Sequence, residues 1–153
     1  MAKSKVRLVG AATQAAGFGR TRRANRSEIA EDYVELIADL IDATGEARAV
    51  ELAGRLGVTG ATVTSTVARL QREGLVRTER YRSIFLTDRG RALAEECRRR
   101  HRIVLGFLRS IGVSDETAAT DAEGIEHHVS DETLDALERV TRLGLVGGAS
   151  EEA

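Results

Sequence analysis

Proline is absent from all 153 residues, and aromatic side chains make up only 3% of them. A chain with so few strand-favouring rings, and so much Ala, Leu, Glu and Arg, is expected to be mainly helical. There is one cysteine, Cys97, so no internal disulfide can form, and a reducing cytoplasm is the expected compartment. No apolar run approaches the ~18 residues needed to cross a membrane. Acidic residues are missing from the first 26 positions, which carry Lys3, Lys5, Arg7, Arg20, Arg22, Arg23 and Arg26. Those seven cations, against a whole-chain net charge of −1, leave the remainder at −8. A basic arm in front of an acidic body points to a polyanion for the arm and a cation for the body. The segment "LVGAATQAAGFG" is too glycine-rich and weakly apolar for a secretory h-region, and Arg22-Arg23 lacks the apolar stretch of a twin-arginine signal.

What is present is periodic. Ile29, Tyr33, Leu36, Ile37, Leu40 and Ile41 recur at helical spacing, with Ser27 as N-cap and Gly45 as stop. A short helix over Ala47–Leu56 and another over Gly60–Glu73, capped by Thr59, are joined by "LGVT", a helix-turn-helix signature. The segment "LVRTERYRSIFLT" changes to a period of two and reads as a β-hairpin, the wing of a winged helix. Thr87 and Asp88 open a long helix to about Ile111, with Leu93, Cys97, His101, Val104 and Leu108 inward. Ser114 and Ser130 cap two further helices, the last with Leu134, Leu137, Val140 and Leu143 inward.

The reading is therefore a mainly α chain: an N-terminal winged helix-turn-helix with a two-stranded wing and a C-terminal all-helical domain. The expected divisions are a basic, flexible arm (1–26), the winged helix (27–95), the helical body (96–146) and a frayed tail (147–153).

Two regions carry chemistry. On the third helix, Val63, Val67 and Leu70 face the core, which turns Thr62, Thr64, Ser65, Thr66 and Arg69 outward. Small hydroxyl side chains near a helix N-terminus can approach phosphates and base edges in a major groove. Thr59 and Ala61 belong to the same end, and Arg77, Arg80 and Arg82 of the wing suit phosphate contacts. In "DAEGIEHHVSDETLD", residues 121–135, Glu123, Glu126 and His127 share one helical face, and His128 is turned about 100° away. His101 points inward from the long helix, and Asp32 and Glu35 add oxygen donors beside the stripe of the first. Carboxylates in partly buried positions repel one another unless a cation lies between them, and an O/N donor set suits a hard or borderline divalent ion.

The phrases "EDYVELI", "GEARAVELAGRLGV", "TVARL", "FLTDRG", "RRRHRIV" and "DAEGIEHHVSDETLD" resemble the manganese transport regulator branch of the diphtheria toxin repressor family, over roughly Ser27–Leu143. The resemblance implies metal ligands at Asp32, Glu35, His101, Glu123, Glu126 and His127, holding two Mn²⁺ per subunit with carboxylate bridging. It implies a homodimer that binds palindromic DNA operators of manganese uptake genes when metal is bound, with no small-molecule substrate and no membrane partner. Thr59, Ala61, Thr62, Thr64, Ser65, Arg69, Arg80 and Arg82 are the expected DNA contacts. Iron-responsive relatives have methionine where this chain has Asp32 and cysteine where it has Glu123. Oxygen donors there favour manganese. The chain also ends without the SH3-like third domain of many iron-type members, and it has Leu105 where they place a glutamate of their ancillary site. It departs from many relatives at Ala61, where they have proline, and at Ser65, where they have a longer polar or cationic side chain. The competing readings are an iron-responsive regulator of the same family, a metal-independent winged-helix regulator, and a dinuclear carboxylate-histidine enzyme. Against the enzyme stand the lack of a second Glu-x-x-His pair, of a nucleophile elbow and of a phosphate loop.

Overall fold

The structure, a computed structural model, describes residues 7–79 and 83–144. The wing arginines Arg80 and Arg82, Lys3 and Lys5 of the arm, and the tail lie outside the described residues. Helix α1 spans Ala11–Thr44 and ends where Gly45, at φ 87°, returns its N–H to Ile41 O. It starts well before Ser27, so residues 11–26 are helical rather than a flexible arm. Ser27 does not cap it, and its hydroxyl instead donates to Glu31 at 3.1 Å. The alanine-rich stretch before Ser27 sustains a helix without burying a stripe, so hydrophobic periodicity gave no sign of it.

The head is built around α1. Strand β1 (Ala47–Arg48) leads into α2 (Ala49–Leu56), then α3 (Gly60–Arg72), β2 (Val76–Thr78) and β3 (Ser83–Leu86). Gly57, at φ 65°, ends α2, and the Thr59 hydroxyl accepts the Thr62 N–H at the start of α3. β2 and β3 form the expected antiparallel wing, with Val76 opposite Leu86 and Thr78 opposite Ile84. The wing gains a third strand, because Ala47 pairs with Ile84 and the sheet order is β1-β3-β2. Two residues are too short a run for alternation to be visible in sequence. Tyr33, Val34, Ile37 and Leu40 of α1, Leu52 of α2, Val63, Val67 and Leu70 of α3, and Val76, Ile84 and Leu86 of the sheet make one buried core.

Helix α4 (Asp88–Ser110) begins under a Thr87 cap and runs from the head into the body. Its N-terminus is pressed onto the end of α3: Thr87 Oγ1 donates to Gly74 O at 2.6 Å and Thr87 N to Leu75 O at 3.1 Å. Ala94 joins the head core, whereas Ile103 and Val104 join a smaller cluster with Ala122 and Leu134. α5 (Asp115–Ile125) and α6 (Asp131–Leu143) complete the body, capped by Ser114 and Ser130 as expected. Two residues read as inward are exposed: Ile29 at 44% and Leu143 at 61%. Ile29 lies where α1 leaves the head core, and Leu143 lies in the last turn of α6. No described helix is long and apolar enough to cross a membrane.

Candidate metal centre and DNA-facing surface

Three elements converge where α1 crosses α4. α1 supplies Glu31, Asp32 and Glu35, α4 supplies Arg100 and His101, and the end of α5 supplies Glu123, Glu126 and His127. The expectation that the last three ride on one helix needs a correction: α5 stops at Ile125, and His127 and His128 lie in a turn. Glu126 is the C-cap and keeps helical dihedrals, φ −58° and ψ −31°, so the shared face survives the end of the helix.

His101 Nδ1 is 2.6 Å from Glu126 Oε2 and 3.5 Å from Glu123 Oε1. One donor atom from each of these three residues lies within 4.8 Å of the others. On the other side of Glu126, His127 Nε2 is 3.7 Å from Glu126 Oε1 and 3.2 Å from Asp32 Oδ1. The two oxygens of Glu126 thus face two different donor groups. Glu126 Oε1 is buried with no hydrogen-bond partner among the described residues. A buried acceptor left unmatched beside an imidazole and a second carboxylate is what a divalent cation would satisfy, and O and N donors suit such a cation. His128, in the turn, points away to Glu28 at 3.0 Å.

The electrostatics agree. Burial pushes the Glu126 carboxyl up to about 7, and the charges of Glu123 and Glu35 add to the rise against the opposing pull of His101. Glu35 is also raised, first by burial and then by Glu123 and Asp39. Hydrogen bonds to Asp32 and Glu31 raise the His127 imidazole to about 10. Protons are held where a cation's charge would otherwise be needed.

Sequence reasoning missed Glu31 and Arg100. Glu31 Oε2 is 2.6 Å from His127 Nδ1 and 2.6 Å from Arg100 Nη2, and the residue is only 5% exposed. Burial disfavours its charge, but the hydrogen bonds from His127 and Arg100 outweigh that and bring it down to about 2. Glu31 therefore accepts the Nδ1 proton of His127, which leaves Nε2 aimed at Asp32 and Glu126. The available signal was its spacing, i and i+3 with Val34 and i+7 with Ala38, which puts it on the buried side of α1.

On the head, Thr59, Ala61, Thr62, Thr64 and Ser65 are exposed together at the N-terminal end of α3. The Thr59 and Thr62 hydroxyls are 3.0 Å apart, and Thr64 Oγ1 donates back to Gly60 O. Arg69 is half-buried and turned towards Glu73, with Nε at 3.7 Å from its carboxylate. On the wing, Arg77 stacks over Phe85, its guanidinium carbon 5.1 Å from the ring centroid.

Residues 26–84 match the family profile "Iron dependent repressor, N-terminal DNA binding domain", and residues 87–142 match "Iron dependent repressor, metal binding and dimerisation domain". The chain is 50% identical over 141 residues to a transcriptional regulator MntR of Escherichia coli O6:H1, covering 92% of this chain and 91% of that protein. An HTH-type transcriptional regulator MntR of Oceanobacillus iheyensis is 39% identical over 107 residues, 70% of this chain and 73% of its own length. Among solved structures, a manganese-dependent transcriptional repressor in complex with manganese is similar at a TM-score of 0.67 and 30% identity, over 74% of this chain and 52% of that one. The manganese regulator SloR gives a TM-score of 0.66 at 27% identity, over 74% and 53%. The chain spans about half the length of these two structures.

Proposed function

This chain belongs to the iron-dependent repressor family, in its manganese transport regulator branch, and from that premise we propose a manganese-activated transcriptional repressor, a cytoplasmic homodimer that shuts off manganese uptake genes. Its relatives are named as transcriptional regulators, not enzymes. The observation that carries the reading is the placement of Glu126, one oxygen towards His101 and the other towards His127 and Asp32. We assign Asp32, Glu35, His101, Glu123, Glu126 and His127 as the residues that would hold two Mn²⁺ ions. Oxygen at Asp32 and Glu123, in place of sulfur, favours manganese over later metals.

Bound there, the cations supply positive charge shared by carboxylates of both domains. Asp32 and Glu35 sit on the helix around which the head is built. Glu123, Glu126 and His127 sit in the body. Holding these groups at a common centre would fix the angle of head to body, and in a dimer the separation of the two α3 helices. Without the cations, Glu35, Glu123 and Glu126 repel, and α1 is held to the body by the contacts of His127, His128, Arg98 and Arg100 with its carboxylates. With metal bound and the heads so held, Thr59, Ala61, Thr62, Thr64 and Ser65 would meet the major groove, with Arg69, Arg80 and Arg82 as the expected phosphate contacts.

The body gives a reason for dimerisation. Its buried apolar cluster is Ile103, Val104, Ala122 and Leu134, too thin a core to stand alone, and Ile111 and Leu143 of the same domain are exposed. Footprinting on DNA upstream of a manganese-transporter gene tests the proposal. Protection that requires Mn²⁺ supports it, and protection indifferent to metal contradicts it.

A further inference from the structure

Helix α1 does not end with the head it organises. Residues 11–26 continue it outward, a projection of about 24 Å at 1.5 Å per residue. From Arg7 to Ser27 there are five arginines and no carboxylate. Arg20, Arg22, Arg23 and Arg26 are all exposed, and none has a carboxylate partner among the described residues. Arg22 and Arg26 are four apart and Arg20 and Arg23 three apart, so Arg22, Arg23 and Arg26 fall within about 100° of arc and Arg20 borders them. An isolated helix that keeps like charges at these spacings gives up stability. The arrangement becomes favourable when an anionic partner lies alongside.

The root of this arm fixes where such a partner must be. Arg26 lines a shallow groove whose other wall holds Glu73, at the end of α3, and Arg89, at the start of α4. The arm therefore leaves the head beside the C-terminal end of α3, the helix whose N-terminal end carries the DNA-facing threonines. It is anchored by a continuous helical backbone to Tyr33, Val34 and Ile37 in the head core. The polyanion brought next to this surface by the rest of the head is duplex DNA.

We propose that the arginine-bearing arm of α1 is a second DNA-binding surface, one that contacts phosphates flanking the segment read by α3. This rests on the DNA-binding reading above. Because guanidinium contacts to phosphate position a protein without reading sequence, the arm adds affinity on any duplex and leaves specificity to α3. It acts independently of the metal centre, so metal-free protein retains the arm's non-specific binding.

The test compares the full-length wild-type chain with the triple variant R22Q/R23Q/R26Q and with the triple lysine variant R22K/R23K/R26K. The probe is a fluorescein-labelled duplex of mixed sequence, titrated over a range of salt concentrations with and without Mn²⁺. The expected result is at least a tenfold loss of affinity at low salt in the glutamine variant. The slope of log affinity against log salt should become shallower by about 0.9 for each phosphate the arm no longer neutralises. The lysine variant should stay near wild type, and Mn²⁺ affinity and sedimentation should be unchanged in both. Wild-type binding that the glutamine variant reproduces, slope included, overturns the arm proposal alone. Loss of the dimer in that variant overturns it too, because the arm would then be a contact between protomers. A wild-type chain that does not bind the duplex even at low salt removes the DNA reading itself.

Discussion

Glu31 sits one residue before a proposed ligand and does a different job. Its carboxylate holds the Nδ1 side of His127 while Arg100 balances its charge. Replacement by glutamine keeps the size but lets the amide present either face to the imidazole. Glu31→Gln should weaken Mn²⁺ binding by roughly 10- to 100-fold, the cost usual for a partner that orients a metal-ligating histidine. Calorimetric titration with Mn²⁺ checks this, and affinity equal to wild type would show that His127 needs no such support. The same group of residues sets the pH response of the metal-free protein. His127 is raised to about 10, so the stability it gains from Asp32 and Glu31 is complete below its ordinary pKa and disappears as pH climbs towards 10. Glu126, raised to about 7, also favours the fold when protonated and disfavours it as pH rises through neutrality. Glu31 works the other way, and its contribution disappears only as pH falls towards 2. Since metal must displace the protons of Glu126 and His127, the gain in melting temperature on adding Mn²⁺ should widen from about pH 6 to about pH 8. Thermal scans of paired metal-free and loaded samples measure it, and a constant gain would contradict this assignment of protons.

Among the elements, the junction of α3, β2 and α4 depends on a single missing side chain. A Cβ on Gly90 would lie 1.9 Å from Leu75 O and 3.3 Å from a Leu86 methyl. The backbone carbonyl cannot step aside, because it already accepts the Thr87 N–H. Gly90→Ala should therefore cost about 3 kcal/mol or more, at or beyond the usual range for overpacking, read as a lower urea midpoint with little change in slope. The elements themselves were largely legible. Thr59, Ser114 and Ser130 cap the helices assigned to them, and Gly45 and Gly57 stop theirs in left-handed conformations. What escaped was structure without a periodic signature: the solvent-exposed first turns of α1, and β1, whose two residues pair only because Ile84 and Ser83 lie opposite. Of the candidate site, the meeting of His101, Glu123 and Glu126 was legible in residue types and spacings. Glu31 and Arg100 were not, because an ion pair between α1 and α4 depends on how the helices cross, which no local pattern encodes.

At the scale of the whole molecule, the proposed metal would tighten a connection between head and body that already exists. α4 is continuous through both, so the domains are never separate, and Arg98 further ties α4 to Asp39 and Asp42 of α1. What the proposed metal would add is a centre shared by α1 and the end of α5. If Mn²⁺ raises affinity for DNA, DNA must raise affinity for Mn²⁺ by the same factor. The most direct measurement is fluorescence anisotropy of a labelled duplex carrying the footprinted segment, titrated at moderate salt with metal-free protein and then with Mn²⁺, Fe²⁺ without oxygen, or Zn²⁺. Tight binding should appear at micromolar Mn²⁺, binding without metal should be far weaker, and Glu126→Gln should abolish the Mn²⁺ effect. Equal affinity with and without metal, or a full Mn²⁺ response in that variant, would contradict a metal-gated repressor.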